Sequence, residues 1–267
     1  MRTAAAIGFT LALAACGGGG GGNNGGGGGT PTNPAPIPSA QACDLLGGIP
    51  SSVGLPVLNG GICNANSASV ISLRMSSKGA PTGNCTGTII APRAVLTAAH
   101  CLDAGVDRVQ VWLGSGDLID AASYVFFPNY SFPTSPDVGI VLLDNDLGRA
   151  AIPVLLSRDA QVGETAIVAG WGRDQNNATA ELRAGSTTIK VVGAQLETAF
   201  GPPAASVCQG DSGGPILVQE GGAWTIAGIT SATSGNVCNT GTNFYQAVRH
   251  PPVRDLILQH VPAAAQR

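Results

Sequence analysis

From about residue 55 onward, short apolar runs alternate with Gly, Pro, Asn and Asp. Val70–Leu73, Thr88–Ile90, Val109–Leu113, Val138–Leu143, Ala166–Ala169, Thr187–Val192, Pro215–Val218 and Trp224–Thr230 all read as strands. They are short, rich in Val, Ile and Thr, and bounded by turn residues. Helical periodicity is absent until the C-terminus. There Val253, Leu256, Ile257 and His260–Val261 fit one face of a short helix beginning after Pro251-Pro252. Many short strands and one terminal helix predict an all-β barrel or sandwich. No internal repeat is visible.

The N-terminal stretch follows another pattern. Arg2 precedes an apolar run from Ala4 to Ala15, the layout of a bacterial secretory signal and too short to span a bilayer. The run ends Leu13-Ala14-Ala15-Cys16, which resembles the lipobox of bacterial lipoproteins. That resemblance implies cleavage before Cys16 and a lipid on its sulfur. The bland alternative is an ordinary signal, with Cys16 incidental. Residues 17–29 are eleven glycines and two asparagines, and Pro31, Pro34, Pro36 and Pro38 follow. Such a segment buries no core and reads as a disordered tether over 16–42. As a coil it would span roughly 28 Å.

Composition narrows the classes. Charged residues make up 11% and the net charge is −3, so no basic patch points to nucleic acid. Aromatics are only 4%, which leaves the core to Val, Ile, Leu and Ala. Seven cysteines stand at 16, 43, 63, 85, 101, 208 and 238 without a CxxC pair. A metal site is therefore poorly supported. The odd count reads as three disulfides plus one special cysteine, which implies an oxidising compartment.

Three segments carry candidate chemistry. In Gly210-Asp211-Ser212-Gly213-Gly214-Pro215 the glycines permit a tight turn that aims backbone N–H groups inward. A serine there, given a base to take its proton, is a candidate nucleophile, with the Gly210 and Ser212 N–H groups as oxyanion donors. Taken alone, the motif is equally a glycine-rich turn with an exposed serine. In Leu96-Thr97-Ala98-Ala99-His100-Cys101, His100 is the candidate base and Cys101 a clamp for its loop. Asp137 opens the run Asp-Val-Gly-Ile-Val-Leu-Leu (137–143), at the mouth of a buried strand, and suits the carboxylate that orients an imidazole. By spacing alone Asp117, Asp120 and Asp144 compete with it.

TAAHC, DVGIVLL, GWG (170–172) and GDSGGP stand in the order found in the trypsin/chymotrypsin family of serine endopeptidases, which the chain resembles from about 57 to 250. The resemblance implies two six-stranded antiparallel β-barrels with a short C-terminal helix and the site in the cleft between them. It implies His100 as general base, Asp137 as its orienter and Ser212 as nucleophile. Gly210 and Ser212 become the oxyanion hole, and Ser231 the support of the buried aspartate. It pairs Cys85 with Cys101 and Cys208 with Cys238, leaving Cys43 and Cys63 to each other. No metal or cofactor is implied. The partners are a protein or peptide substrate and, through Cys16, a membrane. The chain is expected to be a monomer.

The chain also departs from that family. Members usually mature by a cut whose new N-terminus pairs with the aspartate beside the nucleophile, here Asp211. Val57-Leu58-Asn59-Gly60-Gly61 resembles that start, yet Pro56 precedes it, and no Lys or Arg occurs between 17 and 73. A trypsin-like activator has nothing to cut. Cleavage by another protease is expected near Pro56–Val57, with Cys43–Cys63 keeping the tether attached. The rival is a chain that works uncut. The pocket floor aligns with Ser206 and the walls with Thr233 and Asn243, which suggests a shallow, neutral pocket for small or medium apolar residues rather than Lys or Arg. Residues 1–15 then form the signal, 16–42 the tether, 43–56 a candidate pro-segment and 57–267 the catalytic domain. The location is extracytoplasmic, on the bacterial outer membrane. Two rival functions compete with this one. One is a catalytically silent homologue that binds without cleaving. The other, a non-peptide hydrolase, is disfavoured because the order His–Asp–Ser is not that of α/β-hydrolases.

Overall fold

The computed structural model describes residues 42–43, 46, 49–50, 60–103, 105–174, 179, 181–199, 204–235, 238 and 240–267. The signal segment, Cys16, the tether up to 41 and the Pro56–Val57 bond lie outside the described residues.

Strands run as β1 (Ile49–Pro50), β2 (Gly61–Asn64), β3 (Val70–Ser77), β4 (Ala80–Ala91), β5 (Ala94–Thr97), β6 (Arg108–Trp112), β7 (Ile119–Asp120), β8 (Ser123–Phe126) and β9 (Gly139–Leu142). Then come β10 (Thr165–Gly170), β11 (Arg183–Val192), β12 (Gln195–Ala199), β13 (Pro215–Glu220), β14 (Ala223–Thr233) and β15 (Thr242–Ala247). Helix α1 (Pro251–His260) follows.

All pairings between these strands are antiparallel, and Val154 adds isolated parallel bridges to Ile226 and Gln266. The first sheet has the order β7-β6-β3-β4-β5-β9-β8. The second has the order β1-β2-β11-β10-β13-β14-β15-β12, and β12 also pairs with β11. That extra pairing closes β10 to β15 into a six-stranded barrel, as expected, with β1 and β2 added outside it. The first sheet holds seven strands rather than six, because two-residue β7 adds to its edge beside β6. Closure leaves few exposed strand edges.

The core is aliphatic, as the low aromatic content requires. Ile71, Leu73, Ile89, Val95, Leu96 and Ile140 fill the first barrel, and Ala166, Val168, Ile189, Leu196, Ile216 and Val218 fill the second. Helix α1 has Pro at N1, where a missing N–H costs nothing. It buries Val253, Leu256 and Ile257, the face expected from their spacing.

The described residues before Gly60 belong to this body. Leu46 is buried in the main core cluster, and its carbonyl accepts the Ser69 N–H at 3.1 Å. Cys43 is bonded to Cys63, and β1 pairs with β2. Bonds Cys85–Cys101 and Cys208–Cys238 are also present. Each disulfide typically contributes about 2–4 kcal/mol.

Candidate active site

Buried small residues shape the histidine turn. β5 ends at Thr97, Ala98 and Ala99 are fully buried, and a 3-10 turn spans Ala99–Cys101. A larger side chain at 98 or 99 would push the turn outward. The turn carries His100 to Asp137. His100 Nδ1 lies 2.8 Å from Asp137 Oδ2, and the His100 N–H donates to Oδ1 at 3.0 Å. The histidine side chain is 31% exposed and the aspartate's 4%.

Asp137 gathers its partners from both barrels. Ser231 Oγ donates to Oδ2 at 2.6 Å. Its position follows from a bulge: the β14–β15 register shifts between Thr230 and Ala232, which turns Ser231 out of the regular alternation. Gln246 Oε1 on β15 accepts the Asp137 N–H at 3.1 Å, and its Nε2 donates to the Ala194 carbonyl. Burial opposes ionisation of Asp137. The hydrogen bonds from His100 and Ser231 outweigh it and hold the carboxyl below its usual range. The rival aspartates lack such a setting. Asp117 and Asp144 are exposed, and Asp120 pairs with exposed Arg108.

The serine loop docks on the first barrel. Thr86 N–H donates to the Ser212 carbonyl at 2.8 Å, and Thr86 Oγ1 donates to the Gly210 carbonyl at 2.8 Å. Gly213 has φ +82°, and a Cβ there would come 2.1 Å from Thr97 Oγ1 and 2.3 Å from the Thr86 carbonyl. Only glycine lets the loop approach the histidine strand this closely. The Cys85–Cys101 bond sits at the junction. Its sulfurs and a His100 ring nitrogen lie within 4.8 Å of one another, and Cys101 Sγ is 3.8 Å from the Ser212 carbonyl oxygen. Because those sulfurs are joined in a disulfide, the trio offers no thiolate to a metal. Among the described residues, the Gly210 and Ser212 N–H groups have no protein acceptor. Such donors suit a negative charge developing beside Ser212.

Asp211 is fully inside. It accepts the Gly172 N–H at Oδ1 and the Cys208 N–H at Oδ2, each at 2.8 Å. The GWG segment makes the seat. A Cβ on Gly170 or Gly172 would fall within 2.6 Å of the Asp211 side chain. Burial pushes the Asp211 carboxyl up to about 6, against the two N–H bonds and the nearby Arg183 charge. Arg183, on β11, is itself buried. It donates to the Gly172 carbonyl and pairs with Asp174 and Glu181.

The expected pocket residues converge in part. Ser206 and Asn243 are both buried, and Ser206 Oγ donates to Asn243 Oδ1 at 3.1 Å. Asn243 Nδ2 donates to Thr198 Oγ1, which is in turn 3.3 Å from the Tyr245 hydroxyl. Asn243 thus links Ser206 to Thr198 by hydrogen bonds. Thr233 is half-buried opposite Asn243 across the β14–β15 pair, and its hydroxyl donates to the Gly235 carbonyl. The motifs did not single out Thr198, Arg183 or Gln246. Each is a polar residue inside a strand, which the sequence does not distinguish from one facing water.

Residues 58–257 match the family model described as Trypsin. Over 194 residues the chain is 31% identical to chymotrypsin-C of Bos taurus, covering 58% of this chain and 70% of that protein. It is 28% identical to trypsin delta of Drosophila erecta over 240 residues, covering 79% and 92% respectively. It is also 30% identical over 182 residues to inactive CLIP domain-containing serine protease A28 of Anopheles gambiae, covering 55% and 48%.

Proposed function

This chain belongs to the trypsin family of serine proteases, and from that premise we propose that it is an active endopeptidase working through an acyl-enzyme. His100 donates Nδ1–H to Asp137, which leaves Nε2 to take the proton of Ser212 Oγ. The alkoxide attacks the scissile carbonyl, and the new oxyanion lies on the Gly210 and Ser212 N–H groups. The protonated imidazole then gives its proton to the leaving amine. Water attacks the ester by the same route, and Ser212 is restored. The observation that carries this proposal is the buried Asp137, bonded to His100 and Ser231, beside a serine loop with two unspent N–H groups.

One observation favours a second reading. A relative of comparable identity is an inactive protease, so a silent binding module is the alternative. A fluorophosphonate probe separates the two. Labelling that vanishes in Ser212→Ala supports the enzyme, and no labelling of the mature wild-type protein supports the binder.

The neutral Ser206–Asn243 floor supports preference for small or medium apolar residues before the scissile bond. A buried Lys or Arg of the substrate would meet no carboxylate there. A proteome-derived peptide library is expected to be cut mainly after such residues. Cleavage mostly after Lys or Arg would overturn the assignment.

We also propose that the mature protein is anchored through lipidated Cys16 to the bacterial outer membrane, as an extracytoplasmic monomer. The export-type N-terminus and Leu13-Ala14-Ala15-Cys16 support this. Palmitate labelling lost in Cys16→Ala is the expected result, and unchanged labelling would overturn it. Maturation is proposed to occur by another protease at Pro56–Val57. N-terminal mass spectrometry of active, reduced protein should find a chain beginning at Val57, and a sole start at Cys16 with full activity would refute it.

A further inference from the structure

Beside the serine loop lies a second cleft, of about 510 Å³, that the triad does not use. Ser72, Arg74, Trp112, Trp171, Arg173 and Gly210 are among its lining residues. None of Ser206, Ser231, Thr233 or Asn243 lines it, so it is separate from the proposed primary pocket, and it shares Gly210 with the proposed oxyanion hole. With the residue before the scissile bond in that pocket and its carbonyl oxygen on the Gly210 N–H, the leaving-group side is the part of the peptide left to reach this cleft.

The lining has a definite charge. Arg74 and Arg173 are both exposed, no Asp or Glu lines the cleft, and neither arginine pairs with a carboxylate among the described residues. The chain as a whole is acidic, so this positive spot stands out against its field. The Arg74 side chain and the Arg173 backbone are also held in place. The Arg74 guanidinium lies over the Trp112 ring, 5.2 Å from its centroid, and Trp112 packs at 5.1 Å against Trp171. Stacking fixes the plane of a guanidinium while leaving its edge N–H groups free. Trp171 is anchored in turn by its indole N–H to the Val70 carbonyl. The Arg173 N–H donates to the Gln209 carbonyl, which ties that residue to the serine loop itself.

We propose that this cleft is a specificity site for an acidic side chain, Asp or Glu, within the first two residues after the scissile bond. The proposal rests on the endopeptidase reading above. A carboxylate there meets two guanidinium groups, whose planar forks match its two oxygens. Its stem lies against the paired indoles. The site would act on acylation, because the leaving group is present only until the peptide bond breaks.

The test uses the mature protein and matched peptides that differ only by Glu, Gln or Lys at each of the two positions. Glu is expected to exceed Gln in kcat/KM by about tenfold at one position, with Lys lowest, and added salt should shrink the ratio. Arg74→Gln and Arg173→Gln should each reduce the Glu-to-Gln ratio, and the double variant should bring it near one. Equal rates for Glu and Gln, or a ratio that survives in the double variant, would overturn the site. The same peptides are titrated against wild-type protein by indole fluorescence. Glu-selective binding without any hydrolysis would sustain the site and sink the endopeptidase reading. Hydrolysis without Glu selectivity would do the reverse.

Discussion

Ser212→Ala and His100→Ala are each expected to lower kcat by about 10⁶-fold, and the double variant by little more. The reason lies in the coupling of the two groups. Without the imidazole, the Ser212 hydroxyl keeps its proton and is a weak nucleophile. Without the hydroxyl, the imidazole has no proton to take. Each loss therefore removes the same step. Asp137→Asn is expected to cost less, about 10⁴-fold, because it spares the nucleophile while spoiling the tautomer set by the 2.8 Å contact with Nδ1. Single-turnover kinetics on an activated ester would measure all four proteins. Multiplicative losses in the double variant would contradict the shared step.

The second large effect concerns Asp211 and pH. In the chain with the Pro56–Val57 bond intact, burial sets this carboxyl at about 6. The unfolded value is about 3.9. Below about 4 the group is protonated in both states and leaves stability unchanged. Between there and about 6 the folded chain keeps a proton that the unfolded chain has lost. Stability therefore falls as pH rises through that window, by about 3 kcal/mol in all. Charged neighbours are few: Arg183 favours the ionised form, while Asp174 and Glu181 engage Arg183, and Asp211 itself pushes the Tyr245 hydroxyl upward. A cut before Val57 adds an ammonium group. If that group reaches Asp211, the carboxyl drops below its unfolded value, and stability should instead rise with pH across the acidic range. Thermal unfolding from pH 4 to 7, on cut and uncut samples, reads the sign of the slope. Identical slopes would show that the new N-terminus does not pair with Asp211.

Much of this architecture was legible in the amino-acid order. Val70–Leu73 and Ala166–Ala169 announce strands because both faces of those segments are buried, so apolar residues fill every position but Ser72. β12 and β15 were not legible. Their segments, QLETA and TNFYQA, look like loop, yet Thr198, Asn243 and Gln246 are buried and hydrogen-bonded. A polar residue bonded inside a barrel and one facing water look alike in sequence. The site divides along the same line. His100 and Ser212 stand in motifs with local glycine and alanine requirements, which a sequence displays. Asp137 is separated from Asp117, Asp120 and Asp144 only by what surrounds it in three dimensions. Arg183 left no signal at all, because its partners come from the GWG loop and the Glu181 region and its own strand neighbours are ordinary.

The polar row under the proposed primary pocket ties together two neighbouring strands of the second barrel. Thr198 belongs to β12 and Asn243 and Tyr245 to β15, which pair side by side in the ring. Substrate taste and barrel integrity are therefore inherited together. A lineage drifting toward basic substrates would need an acid at 206. That acid would meet the Asn243 carbonyl oxygen. A paired change at 243 would have to come first or at once. Mutational paths to new diets are thus narrow in this protein, and the constraint lies in a seam rather than in the catalytic groups.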